Sequence, residues 1–259
     1  MLVYGLNESY ADIFCFSTTR HGGYSTGQYS SFNCNHYCGD NPENVERNRS
    51  LLADIMPFRP NTFVIPHQIH STEIRTIDSN YLNSDETVRK NMIEGVDAVI
   101  TNLKGVCLCI STADCIPVLC YDIRNKAIAA IHAGWRGTVA RIVEKTLRKM
   151  HEEYGTRMQD VVAVIGPGIS LQSFEVGDEV YQAFQDAGFD MNVISRRYSK
   201  WHIDLWEANR IQLISAGVNP DNIEVSGICT YTANEDFFSA RRLGINSGRI
   251  ISGIILKDE

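Results

Sequence analysis

Val106-Cys107-Leu108-Cys109-Ile110, Pro117-Val118-Leu119-Cys120-Tyr121 and Ala127-Ile128-Ala129-Ala130-Ile131 follow one another with only short breaks between them. Each run is short, apolar, rich in branched side chains and bounded by turn residues, the pattern of a buried strand. A parallel pair needs a crossover of a dozen or more residues, and these gaps are too short for one. Many adjacent strands therefore lack room for a crossover helix between them. The same texture extends outward in both directions. Ile13-Phe14-Cys15-Phe16-Ser17, Phe63-Val64-Ile65, Ile74-Arg75-Thr76-Ile77 and Ala98-Val99-Ile100 precede the central runs. Val161-Val162-Ala163-Val164-Ile165 and residues 223–228 and 249–256 follow them.

Helices are fewer. Asn41 reads as an N-cap with Pro42 at the first helical position, predicting a helix to about Met56 that Pro57 stops. Val45, Leu52, Ile55 and Met56 mark its inner face. Arg49 falls on that face too, where a guanidinium needs an anion, from a salt bridge or from a ligand. From Gly137 to Tyr154 the period becomes helical, with a stripe of Val139, Ile142, Val143, Leu147, Met150 and Tyr154. Asp204-Leu205-Trp206-Glu207 forms a capping box for a helix ending near Gly217. There is no internal repeat and no Pro/Ser-rich linker, so one domain is expected over residues 1–259. Its class is α/β in the mixed, α+β sense: a multilayer sandwich with mixed sheets, not a doubly wound parallel sheet.

The composition is that of a globular protein, 44% hydrophobic and 21% charged, with a net charge of -7. That balance offers no broad basic surface for a polyanion, so no nucleic-acid partner is expected. No apolar run approaches the roughly 20 residues of a membrane span. The opening Met1-Leu2-Val3-Tyr4-Gly5-Leu6-Asn7-Glu8 lacks the basic region and apolar core of a signal peptide. A cytoplasmic protein with no membrane partner is therefore expected, and its eight cysteines read as thiols: core residues, ligands or nucleophiles. Cys107, Cys109 and Cys120 lie in strand-like runs and read as structural. Cys34, His36 and Cys38 have the types for a small metal knot but no second pair to complete it.

Chemistry concentrates in three residues that each close or follow an apolar segment: His70 in Gln68-Ile69-His70, Cys115 in Ala113-Asp114-Cys115, and His132 in His132-Ala133-Gly134-Trp135-Arg136-Gly137. One thiolate and two imidazoles suit zinc, and three protein ligands leave a fourth position open, as in catalytic sites. Their separations are long, and a core cysteine with two hydrogen-bonded histidines, or a nucleophile–base pair, uses the same residues.

With Thr19-Arg20-His21-Gly22-Gly23-Tyr24-Ser25, Gly166-Pro167-Gly168-Ile169, Phe174-Glu175-Val176-Gly177 and Phe237-Phe238-Ser239-Ala240-Arg241-Arg242, these motifs resemble the YfiH-like family, also called the laccase-domain or polyphenol oxidoreductase family. The matching motifs run in order from about residue 14 to 254. The resemblance implies an α/β sandwich related to toxin deamidases that use a Cys–His pair. It also implies zinc on His70, Cys115 and His132, phosphorolysis of adenosine, inosine and methylthioadenosine, and adenosine deamination as a second reaction. One departure is visible: the family often has glycine after the first histidine, where this chain has Ser71.

Deamination needs a carboxylate that is not itself a metal ligand to carry protons, and Glu175 and Asp114 are the candidates. Asp114 could instead orient a metal ligand, and Glu175 could bind a ribose hydroxyl. Phosphorolysis needs positive charge for phosphate, for which Arg20, Arg49, Arg136 and Arg241 are candidates beside structural roles. The backbone N–H groups of the turn after His132 are another source. One of Arg241 and Arg242 could reach the site and Cys229 could place a second thiol near the metal, but structural roles are the favoured reading for these residues. A four-copper oxidase needs about ten histidines, and this chain has seven. A single copper replacing zinc stays open, and with it a copper-dependent polyphenol oxidase. So do a metal-independent hydrolase or deamidase using Cys115 with His132 or His70, and a non-catalytic nucleoside-binding module. Oligomeric state is not legible.

Overall fold

The computed structural model describes residues 1–258. Two large mixed sheets carry the fold. The five-stranded sheet runs in the order Leu2–Val3, Ile13–Ser17, Ile250–Leu256, Val106–Thr112 and Thr62–Val64, with only the last neighbours parallel. The six-stranded sheet runs Ile223–Val225, Val161–Ile165, Ile116–Asp122, Ala127–Ala133, Ala98–Thr101 and Ile74–Thr76. Its outermost pairs are parallel and its inner pairs antiparallel. The central runs of the sequence split between these sheets. Ile116–Asp122 and Ala127–Ala133 form a hairpin in one, while Val106–Thr112 lies in the other. Residues 113–115 are thus a switch from sheet to sheet, which brings Cys115 to one end of the sandwich.

Alternation along the strands sets the layers. Val106, Leu108 and Ile110 meet Leu119, Tyr121, Ile128 and Ala130 in a core between the two sheets. Cys107 and Cys109 face the other way, into a second core with Phe14, Phe16, Leu52 and Met56 under the helix Pro42–Ile55. Ile116, Val118, Ala129 and Ile131 face outward from the six-stranded sheet and are covered by Ile142, Val143, Leu147 and Met150 of the helix Ile142–Tyr154 and by Leu213 of the helix Leu205–Ala216. Helix, sheet, sheet, helix is the order through the molecule: the mixed multilayer sandwich expected from the strand spacing.

The caps of two helices are those the sequence predicts. Asn41 accepts from the N–H of Glu43, and Asp204 accepts from the N–H of Glu207 before a helix that ends at the left-handed Gly217. Cys107, Cys109 and Cys120 are fully buried thiols, and all eight cysteines are free. Cys34 goes into the core while the His36 imidazole turns to Glu46, so no metal knot forms there.

Elsewhere the structure departs from expectation. Ile55 is 46% exposed, and the inner face of its helix is completed by Asn48 and Ala53 instead. Asn48 donates to the carbonyls of Ser31 and Asn33 and accepts from the N–H of Tyr24, a buried polar anchor that an apolar stripe does not mark. The stretch 137–154 is two helices, Trp135–Val139 and Ile142–Tyr154, broken at Arg141 with φ +62°. The Arg141 guanidinium donates to the Ala187 carbonyl and stacks over Phe189, contacts that favour the break and that no periodicity reveals. A three-stranded sheet of Glu175–Val176, Trp201–Ile203 and Ser195–Arg197, and the helix Asp178–Asp186, were not foreseen. Glu175, Ser195-Arg196-Arg197 and His202 interrupt these short strands, so no apolar run marks them. Among the described residues no helix is long and apolar enough to cross a membrane.

Candidate metal centre

Three elements deliver three donor atoms to one end of the sandwich. His132 sits near the end of the Ala127–Ala133 strand, opposite Pro117 in the register. Cys115 closes the switch between sheets immediately before Ile116. His70 comes from the segment after Thr62–Val64, in a turn with φ +65°. The donor atoms of His70, Cys115 and His132 all lie within 4.8 Å of one another. Cys115 Sγ is 3.8 Å from His70 Nε2, and the two imidazoles meet edge to face at 4.8 Å between centroids. Zinc–sulfur and zinc–nitrogen bonds of about 2.3 and 2.0 Å at the tetrahedral angle would span roughly 3.5 Å. The donor set and its spacing fit such an ion. Among the described residues no other group of three His, Cys or acidic donors is close enough to share an ion.

The electrostatics prepare the thiol for this role. Burial alone would raise the Cys115 pKa, but the imidazoles of His132 and His70 outweigh it and bring the thiol down to about 6. Burial likewise opposes charge on His132, yet the Cys115 thiolate and Asp97 lift its pKa to about 9. Each group thus favours the charged form of the other, with Asp97 accepting from His132 Nδ1 at 2.7 Å. Asp97 was missed in the sequence. Its signal is slight: an acid directly before the apolar run Ala98-Val99-Ile100, where an unpaired carboxylate would be costly.

These three side chains line a cavity of about 500 Å³, within the range of small-molecule sites. Trp135, Ile169 and Phe174 give it apolar wall, and His67, Arg241 and Arg249 give it polar groups.

A family described as multi-copper polyphenol oxidoreductase laccase matches residues 14–257. The chain belongs to this family. It is 56% identical over 259 residues to a purine nucleoside phosphorylase of Bacteroides thetaiotaomicron, covering 99% of this chain and 96% of that protein. It is 40% identical over 253 residues to adenosine deaminase RL5 from an unknown prokaryotic organism, covering 96% of each. The fold is that of the Bacillus licheniformis hypothetical protein YfiH, with a TM-score of 0.89 at 28% identity over 96% of this chain and 95% of that one. Family membership and the His–Cys–His set together point to a metal.

Against this family background the other expected residues divide. Asp114 and Arg241 line the cavity. Asp114 (φ +87°) accepts from the Thr230 hydroxyl at 2.7 Å and from the Arg241 N–H at 2.6 Å, so its carboxylate pins the Cys115 turn to the helix Ala240–Leu243. Arg241 donates to the Glu175 carbonyl at 3.1 Å and lies over the Phe174 ring. The Glu175 carboxylate turns outward to Lys200 at 2.8 Å, and that hydrogen bond holds its pKa low. Arg20, Arg49 and Arg136 do not line the cavity. Arg20 donates to the Ser30 and Asn234 carbonyls, Arg49 to the Cys34 carbonyl, and the exposed Arg136 lies over Trp135. The turn after His132 opens a helix of a single short turn, Trp135–Val139. Arg242 packs on Tyr231, and Cys229 accepts from the Ser170 N–H, both outside the lining. Arg249 and His67 were not foreseen: the first precedes the final strand, and the second is masked in sequence by its neighbour His70.

Proposed function

We propose that this chain is a zinc-dependent purine nucleoside phosphorylase acting on adenosine, inosine and methylthioadenosine, with adenosine deamination as a second activity of the same site. One observation carries the reading: a single cavity of about 500 Å³ brings His70, Cys115 and His132 together with two arginines and an aromatic wall. The names of the relatives support the substrate class. Bound at the three ligands, zinc supplies Lewis acidity toward the purine. Arg241 supplies charge-assisted donors for phosphate, in place of the Arg20, Arg49 and Arg136 considered from sequence. Arg249, whose guanidinium already donates to the Ile245, Ser247 and Gly248 carbonyls, adds positive charge to the cavity lining. Phe174 and Trp135 shelter the base and exclude water. With the Asp114 oxygens engaged and Glu175 paired to Lys200, His67 is the better proton carrier for the departing purine. Glu94 accepts from its Nδ1 at 2.6 Å and fixes the tautomer that leaves Nε2 to exchange the proton. The test is chromatography of adenosine incubated with enzyme, with and without phosphate. Adenine released only with phosphate supports phosphorolysis, and inosine formed without phosphate supports deamination. Unchanged adenosine in both would overturn the reading.

Metal binding should carry a defined pH dependence. His132 holds its proton up to about pH 9 in the metal-free protein, and Cys115 holds one below about pH 6. Metal must displace both, so affinity rises with pH. From these two groups, the slope of log affinity against pH should be about two below pH 6, about one from 6 to 9, and flat above. Competition titrations with a chromogenic chelator across that range would check it.

A second reading has its own observation. Cys115, His132 and Asp97 are also in the order of a nucleophile, base and orienting carboxylate, and a thiolate formed near pH 6 is reactive. Rapid alkylation of Cys115 in protein purified without metal, unaffected by added zinc, would favour this hydrolase. Copper could replace zinc on the same three ligands, since it binds such donors more tightly.

A further inference from the structure

Asp97 is fully buried directly before the Ala98–Thr101 strand. Its Oδ1 accepts from His132 Nδ1 at 2.7 Å and from the His70 backbone N–H at 3.0 Å. Its Oδ2 accepts from the N–H groups of Ile69 and Ser71 at 3.2 and 2.7 Å and from the Ser71 hydroxyl at 2.7 Å. The Asp97 carbonyl also accepts from the His132 N–H at 2.8 Å.

We infer that Asp97 is the positioning residue that binds the two imidazole ligands into one preformed unit, so that the site is set before the ion arrives. The inference rests on the metal reading above. A buried carboxylate demands donors, and here successive N–H groups of residues 69–71 converge on it. Their convergence holds His70 in a left-handed conformation that residues other than glycine seldom adopt. The same carboxylate fixes the His132 tautomer, leaving Nε2 for the ion. Ser71 reinforces the clamp, because its hydroxyl gives Asp97 a donor that glycine at that position would lack.

The test compares zinc and cobalt binding by the full-length protein and its Asp97→Asn and Ser71→Ala variants. Affinity is read by chelator competition, geometry by the cobalt absorption bands, and stability by Tm with and without metal. Asp97→Asn should bind zinc about 10- to 100-fold more weakly, with altered cobalt bands and a smaller metal-induced rise in Tm. Ser71→Ala should lose roughly threefold or more. A merely structural Asp97 would lower Tm equally with and without metal and leave affinity and bands unchanged, which overturns the inference. Should Asp97→Asn fail to fold, Ser71→Ala decides alone, and unchanged affinity there overturns it. Failure of the unsubstituted protein to bind either metal removes the metal reading itself, and the inference with it.

Discussion

Cys115→Ala is expected to abolish phosphorolysis, lowering kcat/KM by more than about 100-fold, beyond what loss of an outer-shell partner produces. The thiolate is the charged member of a His70–Cys115–His132 set whose other two donors are imidazoles. Removing it takes away a ligand and also the anion that raises the His132 pKa. The fold should tolerate the change. Cys115 is half-exposed at the switch between sheets, and Asp114, which pins that turn to Thr230 and Arg241, remains. The check is phosphate-dependent adenine release alongside metal content and circular dichroism. Cys120→Ala serves as the comparison: that thiol is fully buried between strands, so its loss should lower stability and spare activity. Activity retained in Cys115→Ala would mean that turnover does not need the thiolate, and would remove Cys115 from the catalytic account.

Gly134→Ala should damage the site as severely through geometry alone. A Cβ at this position would stand 2.9 Å from His70 Cδ2 and 3.1 Å from Cys115 Sγ, a wedge between two ligands. Gly134 has φ -68° and ψ 167°, so alanine imposes no backbone strain, and the helix it caps is not at risk. The exposed His70 ring must give way. A displacement near 1 Å at a reacting centre costs about 10²-fold in rate, and that is the loss expected in kcat/KM, with a Tm close to that of the unsubstituted protein. Steady-state kinetics and a thermal melt on the same preparation separate the two effects. Equal activity would mean that His70 is not held against Cys115 during turnover.

The sheets were legible because their strands are long enough to repeat. Val106–Thr112, Ile116–Asp122 and Ala127–Ala133 are continuous apolar runs, and the short gaps between them leave no room for crossover helices. The small sheet around Trp201–Ile203 and the break at Arg141 were illegible because tertiary contacts create them, with Phe174 and Trp201 for one and Ala187 for the other. At the site, His70, Cys115 and His132 stand out by residue type beside apolar segments. Their charged surroundings do not. Arg49 reads as needing an anion from a salt bridge or a ligand, and the fold gives it Glu46 at 3.9 Å on its own helix and the Cys34 carbonyl at 2.9 Å. Arg249 looked like a strand flank yet lines the cavity. Asp114 and Asp97 are both single acids beside an apolar run. Only the fold shows that Asp97 faces His132, while Asp114 faces Thr230.

The most direct measurement is restoration of activity by metal. Protein stripped with a chelator would be titrated with zinc while phosphate-dependent adenine release from adenosine is followed. A metal-dependent phosphorylase should be inactive when stripped and recover fully at about one zinc per chain, with His70→Ala, Cys115→Ala and His132→Ala silent at every zinc concentration. Full activity in the stripped protein, or recovery in the variants, would contradict a catalytic metal at these three residues.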